Sequence, residues 1–505
     1  MDRKDNPIAI SIDGTYRILR LNGKTWPMIN GGPCANYYSG PGNGSEYSTT
    51  VINCLFQFCR VECGQAYESF FSTMKNLPAN LFGLDPFMPD IVGCDRSPAI
   101  VNASLAIWPD TFNVLCWPHV SLYLTEGKFR KHMSQSCTPE TRDLIEGDII
   151  ALHSARSEAM FDVLFECMSV VWTDAGEAGF VAYFRRHYGN GVWKRWWYGA
   201  ACVPGVPANQ NSKESQHKRH KIILGKDLLN APPLTTATVS VPLILAAEGK
   251  ANAEKDKWPS TLTVVPRLSA TVAAKARNLT PKFLSVRLHA PALELEQHPP
   301  SHPCLFLLLC QAKELEAAKN PAQGENSVVM VAYVMEYGRK LEDVTPQMVL
   351  GYSKLKEGLN PLLGKLSRKK LERLKALNGL HEVVVHSATF ETQSAFLKRS
   401  VGVGDAVAAS RAEDGERYVK LTCDCEDFMR SGSICPCTLA VASAKFGRGK
   451  PHIDLNLLLE STAATRQGPG RPRAAQPGNR YGGGSSSLSS SSTDRSFFDF
   501  SQSGR

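Results

Sequence analysis

Three acidic residues stand in contexts that suit metal-dependent chemistry on nucleic acids. Asp13 and Asp95 each end a short apolar run, and Glu214 lies in a polar segment that leads into a basic helix. Carboxylates at the tips of buried strands are held rigidly. Three that converge could bind two Mg²⁺ or Mn²⁺ ions, which would activate a water or a 3′-hydroxyl and stabilise the leaving oxygen of a phosphodiester. Taken singly, each acid fits an ordinary turn residue at a strand end better than a metal ligand.

Four cysteines near the carboxyl end form the second chemical signal. Cys423 and Cys425 make one Cys-x-Cys pair, and Cys435 and Cys437 make another a short distance further on. Four thiolates at this separation can bind one tetrahedral Zn²⁺, and His452 is an alternative to Cys437 as the fourth ligand. The chain has 15 cysteines, an odd number, which favours reduced thiols and metal binding over a disulfide framework.

The elements that must position the three acids alternate between strand and helix. The patterns predict strands at Ile8–Asp13, Tyr16–Leu21, Trp26–Asn30, Asp90–Asp95 and Phe112–Trp117, and helices at about Ser45–Lys75 and Pro98–Trp108, the latter with Ser97 as N-cap. Residues 121–200 are predicted to be a helical insertion. Its tryptophans, among them Trp193, Trp196 and Trp197, either stack on bases or form its core, and the core is favoured. This order predicts an α/β fold.

The rest of the chain divides by composition. Residues 1–225 are the predicted α/β domain and 226–325 a linker with some helix, such as Ser269–Arg277. Residues 326–400 are a mixed α/β region with a strand at Ser327–Tyr337 and a basic helical stretch at Lys354–Leu380. Residues 401–460 hold the cysteine pairs, and 461–505 form a basic Gly/Ser-rich tail that is predicted to be disordered.

Charge and hydropathy limit the class of protein. Lys and Arg number 57 against 48 Asp and Glu, a net charge of +9 that permits an anionic partner without establishing one. No apolar run approaches the roughly 18–20 residues that a membrane span needs, and the amino terminus lacks the apolar segment of a secretory signal. We therefore expect an intracellular protein without a membrane partner.

The first 225 residues resemble the DDE transposase domain of Mutator-like elements. The matching segments are Ile12–Tyr16, Cys94–Ser97 with Ala99–Ala103, Trp108-Pro109, Cys116–His119 and Asn209–Ser215, in the order of the family. The resemblance implies a ribonuclease-H-like fold in which Asp13 and Asp95 bind the catalytic metal ions and Glu214 completes the site.

One detail departs from the family, and one motif carries two interpretations. Gln210 separates Asn209 from Asn211, where relatives often have two adjacent asparagines before the glutamate. By resemblance, Cys116 and His119 form a Cys-x-x-His element that shapes the DNA site or contacts a base. The alternative is a cysteine and a histidine buried in packing at the end of a strand.

The cysteine-rich segment resembles a SWIM zinc finger, which follows the transposase domain in many Mutator-like proteins. The family pattern ends in His where this chain has Cys437. A closed four-ligand zinc would stabilise a module too small to fold without it. Further on, Pro469–Arg473 resembles part of an AT-hook, which would place Arg471 and Arg473 in a minor groove. The alternative for this segment is a solvated basic linker.

Together the resemblances imply a nuclear DNA transposase, or a protein descended from one. It would cleave and join DNA strands with Mg²⁺ or Mn²⁺, hold a structural Zn²⁺ and act as a homo-oligomer. The alternative is a domesticated, catalytically inactive DNA-binding regulator. The presence of all three acids favours catalytic competence. The zinc-binding recognition domain that precedes the first acid in many relatives is missing before Asp13, which would favour the regulator or an inactive fragment.

Overall fold

A computed structural model describes most of the chain. The described residues are 7–38, 47–206, 208–252, 275, 281–289, 292–297, 305–309, 327–335, 346–362, 364–389, 406–412, 415–431 and 435–446. All of them belong to one compact unit, Met1–Thr462. The expected helix Ser269–Arg277 lies outside the described residues except for residue 275. His452 and the tail with Arg471 and Arg473 also lie outside them.

A mixed sheet of six strands lies at the amino-terminal end of the chain. Its strands are β1 (Ala9–Leu21), β2 (Lys24–Tyr38), β3 (Tyr47–Val51), β4 (Leu55–Phe58), β5 (Ile91–Cys94) and β6 (Phe112–Leu115). The order is β3-β2-β1-β5-β6, with β4 also paired to β2. The β1–β2 pair is antiparallel, whereas β1, β5 and β6 run parallel to one another. The α/β class expected from the sequence is therefore correct.

Helices cover this sheet and follow it. They are α1 (Gly64–Phe82), α2 (Pro98–Ile107), α3 (Trp117–Thr125), α4 (Pro139–His153), α5 (Glu158–Asp174), α6 (Ala178–Phe184), α7 (Asn211–Leu228, with a break at Gly225) and α8 (Val241–Asn252). The helices α3 to α6 fall where the sequence predicts a helical insertion. Trp172, Trp196 and Trp197 are almost fully buried there, so these tryptophans form core rather than a base-stacking surface.

A second sheet contains the strands from the carboxyl half of the chain. Its strands are β7 (Pro281–His289), β8 (Ala292–Gln297), β9 (Leu305–Leu309), β10 (Ser327–Met335), β11 (Leu380–Thr389), β12 (Ala406–Ala412) and β13 (Gly415–Cys423), in the order β12-β13-β11-β10-β9-β7-β8. Its helices are α9 (Pro346–Lys356), α10 (Arg368–Leu377), α11 (Glu426–Ser431) and α12 (Pro436–Phe446). Side chains of α9 and α10 join the same apolar core as α5.

Several expectations need correction. The helix predicted from Ser45 begins only at Gly64, because the β-branched run Thr49–Ile52 and the residues after it form β3 and β4 against β2. Strand β6 ends at Leu115, and the segment after it turns directly into α3. The region predicted as a linker includes α8 and the strands β7 to β9, which the weak periodicity there does not predict.

No helix among the described residues is long and apolar enough to span a bilayer.

Candidate functional site

The parallel pairing of β1 with β5 brings two of the three predicted acids side by side. Ser11 pairs with Gly93, so Asp13 and Asp95 each stand two residues further along in the same direction. Neighbouring strands lie about 4.8 Å apart, and side chains two residues apart on a strand share a face. Asp13 and Asp95 therefore occupy the same level of the sheet at the carboxyl end of β5.

The third acid is held against these two strands by a side chain that precedes it. The amide Nε2 of Gln210 donates to the carbonyl oxygens of Ile12, at 2.8 Å, and Gly93, at 3.0 Å. Helix α7 begins at the next residue and carries Glu214 in its first turn. Gln210, which departs from the family pattern, is thus a buried side chain whose hydrogen bonds join the start of α7 to β1 and β5. These hydrogen bonds fix the position of Glu214 relative to both strands.

The pKa shifts of the acids reflect their mutual proximity. Burial raises the pKa of Asp95, and the negative charges of Asp13 and Glu62 raise it further against the opposing backbone N–H of Ser97. Burial also raises the pKa of Glu214, and the charge of Asp13 adds to this effect. Burial is the largest cause of both shifts, and the like charges add to it.

A buried histidine orients the Asp13 carboxylate. The Nδ1 of His217 lies 3.4 Å from Oδ2 of Asp13, and its Nε2 lies 2.8 Å from Oδ1 of Asn30 on β2. The other carboxylate oxygen of Asp13 accepts the N–H of Gly14 at 2.8 Å. Burial lowers the pKa of His217. His217 is on α7 with Glu214, so one helix both supplies an acid and steadies its neighbour.

A fourth carboxylate, Glu62, is one that the sequence did not single out. Its two oxygens accept hydrogen bonds from the hydroxyls of Tyr16, at 2.6 Å, and Tyr67, at 2.5 Å. A side chain at Gly14 would approach Oε1 of Glu62 to 2.8 Å, so glycine there lets Glu62 lie against the strand that bears Asp13. The only local signal is a glutamate just after an alternating strand, which is too common to be informative.

The two residues of the predicted Cys-x-x-His element lie beside Glu214. The ligand atoms of Cys116, His119 and Glu214 are all within 4.8 Å of one another. Cys116 is buried and His119 is half-buried at the start of α3. A role of this pair in contacting DNA stays a prediction.

A basic and aromatic cleft of about 230 Å³ opens next to Asp95. The guanidinium of Arg96 lies 3.6 Å from the centre of the Tyr188 ring and donates to the carbonyl of His187. The remaining lining residues are Pro98, Tyr123, Tyr183, Arg186 and Trp193. Tyr188 is buried between Arg96 and Phe184, and Tyr183 stacks on His132, so the charge of the cleft comes from Arg96 and Arg186. Sequence reasoning did not find this cleft because its residues are scattered along the chain.

The four cysteines Cys423, Cys425, Cys435 and Cys437 form a buried group whose sulfur atoms lie within 4.8 Å of one another. This group could bind a metal such as zinc, and Cys437 is one of its members. Cys425 and Cys435 stand at the starts of α11 and α12. Their sulfurs accept the N–H groups of Phe428, at 3.4 Å, and Thr438, at 3.3 Å, which stabilises thiolates.

The cysteine group docks on the segment that leads to Glu214. The hydroxyl of Tyr198 donates to the carbonyl of Asp424 at 2.5 Å, and the N–H of Gly205 donates to the carbonyl of Met429 at 2.8 Å. Residues 198–205 join the helical region to Gln210. The cysteine group and the acid site are therefore connected through one short stretch of chain.

Neither a scan of known protein families nor a search of curated proteins finds a match to this chain.

Proposed function

We propose that this protein is a DNA-cleaving and DNA-joining enzyme of the Mutator-like transposase type, with a divalent-metal site built from Asp13, Asp95 and Glu214. One observation carries the proposal. The register of β1 with β5 aligns Asp13 with Asp95, and Gln210 fastens the start of α7 to both strands. The strand order, with antiparallel β1 to β3 followed by parallel β5 and β6, supports a ribonuclease-H-like fold.

In this proposal each residue has a chemical role. The carboxylates of Asp13 and Asp95 hold Mg²⁺ or Mn²⁺, and Glu214 closes the site from α7. The metal ions would activate the attacking water or 3′-hydroxyl and neutralise charge on the leaving oxygen. His217 keeps Asp13 oriented. The arginines of the cleft, Arg96 and Arg186, would contact DNA phosphates. The cysteine group would be a SWIM-type zinc module that contacts DNA or protein. The protein would be nuclear and would act as a homo-oligomer.

The test is Mn²⁺-dependent strand cleavage by the full chain and by Asp95→Asn. The substitution keeps the shape and removes the charge, so we expect the cleavage rate to fall by about 1000-fold or more while DNA affinity changes little. Asp110→Asn, at an exposed aspartate after α2, is the matched control and should cleave at the wild-type rate. Equal cleavage by Asp95→Asn would refute the assignment. A wild-type protein that binds DNA but does not cleave it would favour the regulator instead.

A further inference from the structure

A second group of potential metal ligands includes Glu214. Cys116 is the last residue before α3, His119 is in the first turn of α3, and Glu214 is in the first turn of α7. Their ligand atoms lie within 4.8 Å of one another. The backbone holds these two helix starts together, since the N–H of Trp117 donates to the carbonyl of Ala208 at 2.8 Å.

The surroundings leave these side chains available to a ligand. Cys116 is about 1% exposed. The Nδ1 of His119 is buried, and within the part of the chain that the structure describes it has no hydrogen-bond partner. Buried polar atoms are nearly always paired in folded proteins, so His119 has an imidazole nitrogen that is available to a ligand.

The three ligand types select the metal. A thiolate, an imidazole and a carboxylate are the side chains that bind Zn²⁺, whereas Mg²⁺ prefers oxygen alone. We propose that Cys116, His119 and Glu214 bind one Zn²⁺, with water in the fourth position. The thiol proton of Cys116 leaves to solvent as the metal binds. This site shares no residue with the four-cysteine group. Three protein ligands and one open position hold zinc less tightly than a closed four-thiolate site does.

The site has a consequence for the proposed reaction, and this consequence rests on the proposed function. Glu214 is a ligand in both sites. When it binds Zn²⁺ together with Cys116 and His119, it is withdrawn from the Mg²⁺ or Mn²⁺ ions held by Asp13 and Asp95. Zinc therefore inhibits DNA cleavage by competing for a single carboxylate.

Zinc binding is tested on the full-length protein by equilibrium dialysis against Zn²⁺ followed by elemental analysis. We expect two zinc ions per wild-type chain, and one in Cys116→Ser and in His119→Gln. Cys202→Ser removes an exposed thiol outside both groups and should retain two. One zinc ion in the wild type, or two in both ligand variants, overturns the inference.

Folding and function are controlled separately. A variant that has also lost the zinc of the four-cysteine group is misfolded, so the other ligand variant then decides. Co²⁺ substitution adds a spectroscopic check: Cys116→Ser should remove a weak thiolate-to-cobalt band and keep the stronger four-thiolate bands. The zinc count needs no DNA. A missing second zinc overturns this inference and leaves the proposed function standing. No Mn²⁺-dependent cleavage by a protein that holds only the zinc of the four-cysteine group overturns the proposed function.

Discussion

Asp424 is the residue whose replacement most directly tests how the cysteine group is joined to the rest of the protein. It stands between Cys423 and Cys425, and its carboxylate accepts the N–H of Glu382 at 2.7 Å, the Nζ of Lys356 at 3.1 Å and the hydroxyl of Tyr352. These partners come from α9 and β11. A single, largely buried carboxylate thus accepts from three donors on two elements beside the cysteines.

Asp424→Asn keeps the size of the side chain and removes its charge. Removing one partner of a buried ion pair costs about 3–5 kcal/mol, because the remaining charge is left uncompensated. In this variant Lys356 retains its ion pair with Glu382, at 2.8 Å. We therefore expect the free energy of unfolding to fall by about 3 kcal/mol, the lower end of that range. The measurement is the free energy of unfolding from urea titration, with zinc held constant.

The matched control is the same substitution three residues away. Asp427 is 39% exposed and pairs with Arg430 at 3.2 Å across one turn of α11. Exposed pairs of this kind contribute less than about 1 kcal/mol to stability, so the free energy of unfolding of Asp427→Asn should be close to that of wild type. Equal stability of the Asp424 and Asp427 variants would refute the view that Asp424 is the buried link between the cysteine group and α9.

Three further predictions concern other parts of the molecule. Burial, together with the charge of Arg156, lowers the pKa of His153 to about 3, below the value of about 6.5 in an unfolded chain. The unfolded state therefore binds more protons between these pH values, and stability falls as pH falls through that window. His153→Phe keeps the stacking on Trp117. Between pH 7 and pH 5 its free energy of unfolding, measured in urea, should fall by about 2 kcal/mol less than that of wild type. The same pH dependence in both proteins would contradict this. Glu62→Gln removes a charge near Asp95, while its amide oxygen can accept from one tyrosine and its amide NH2 can donate to the hydroxyl oxygen of the other. We expect Mn²⁺ affinity to fall about tenfold by calorimetry, and an unchanged affinity would exclude a role for Glu62 at the metal site. Cys425→Ser should release the tightly bound zinc and unfold α11 and α12 in hydrogen exchange, and unchanged protection of those helices would show that metal does not hold the module together.

Sequence patterns predict β5 and α2 because those signals are local, but they divide β1 wrongly into Ile8–Asp13 and Tyr16–Leu21, with Asp13 at a strand end rather than within one strand. Strand β5 and helix α2 have the predicted bounds to within a residue, since a short apolar run and a proline after Ser97 define them without help from the rest of the fold. The segment before α1 is predicted as helix because its apolar spacing fits either element. Pairing with β2, a tertiary contact, makes Tyr47–Val51 and Leu55–Phe58 strand.

The finer structure of the site depends on contacts between distant parts of the chain. Gln210 looked like an interruption in sequence, and its hydrogen bonds to Ile12 and Gly93 explain it only once β1 and β5 are adjacent. Glu248, in a stretch predicted as linker, accepts from His220 and Asn53 and so braces α7. Residue spacing alone does not encode either contact.

The central claim is that Asp13 and Asp95, far apart in sequence, bind the same divalent ion. The most direct test is a calorimetric titration of Mn²⁺ into the full-length protein with its four-cysteine group saturated with zinc, comparing wild type, Asp13→Asn, Asp95→Asn and the Asp110→Asn control. We expect binding in wild type and control, and its loss in each of the other two variants. Wild-type affinity in either Asp13→Asn or Asp95→Asn would contradict a shared site.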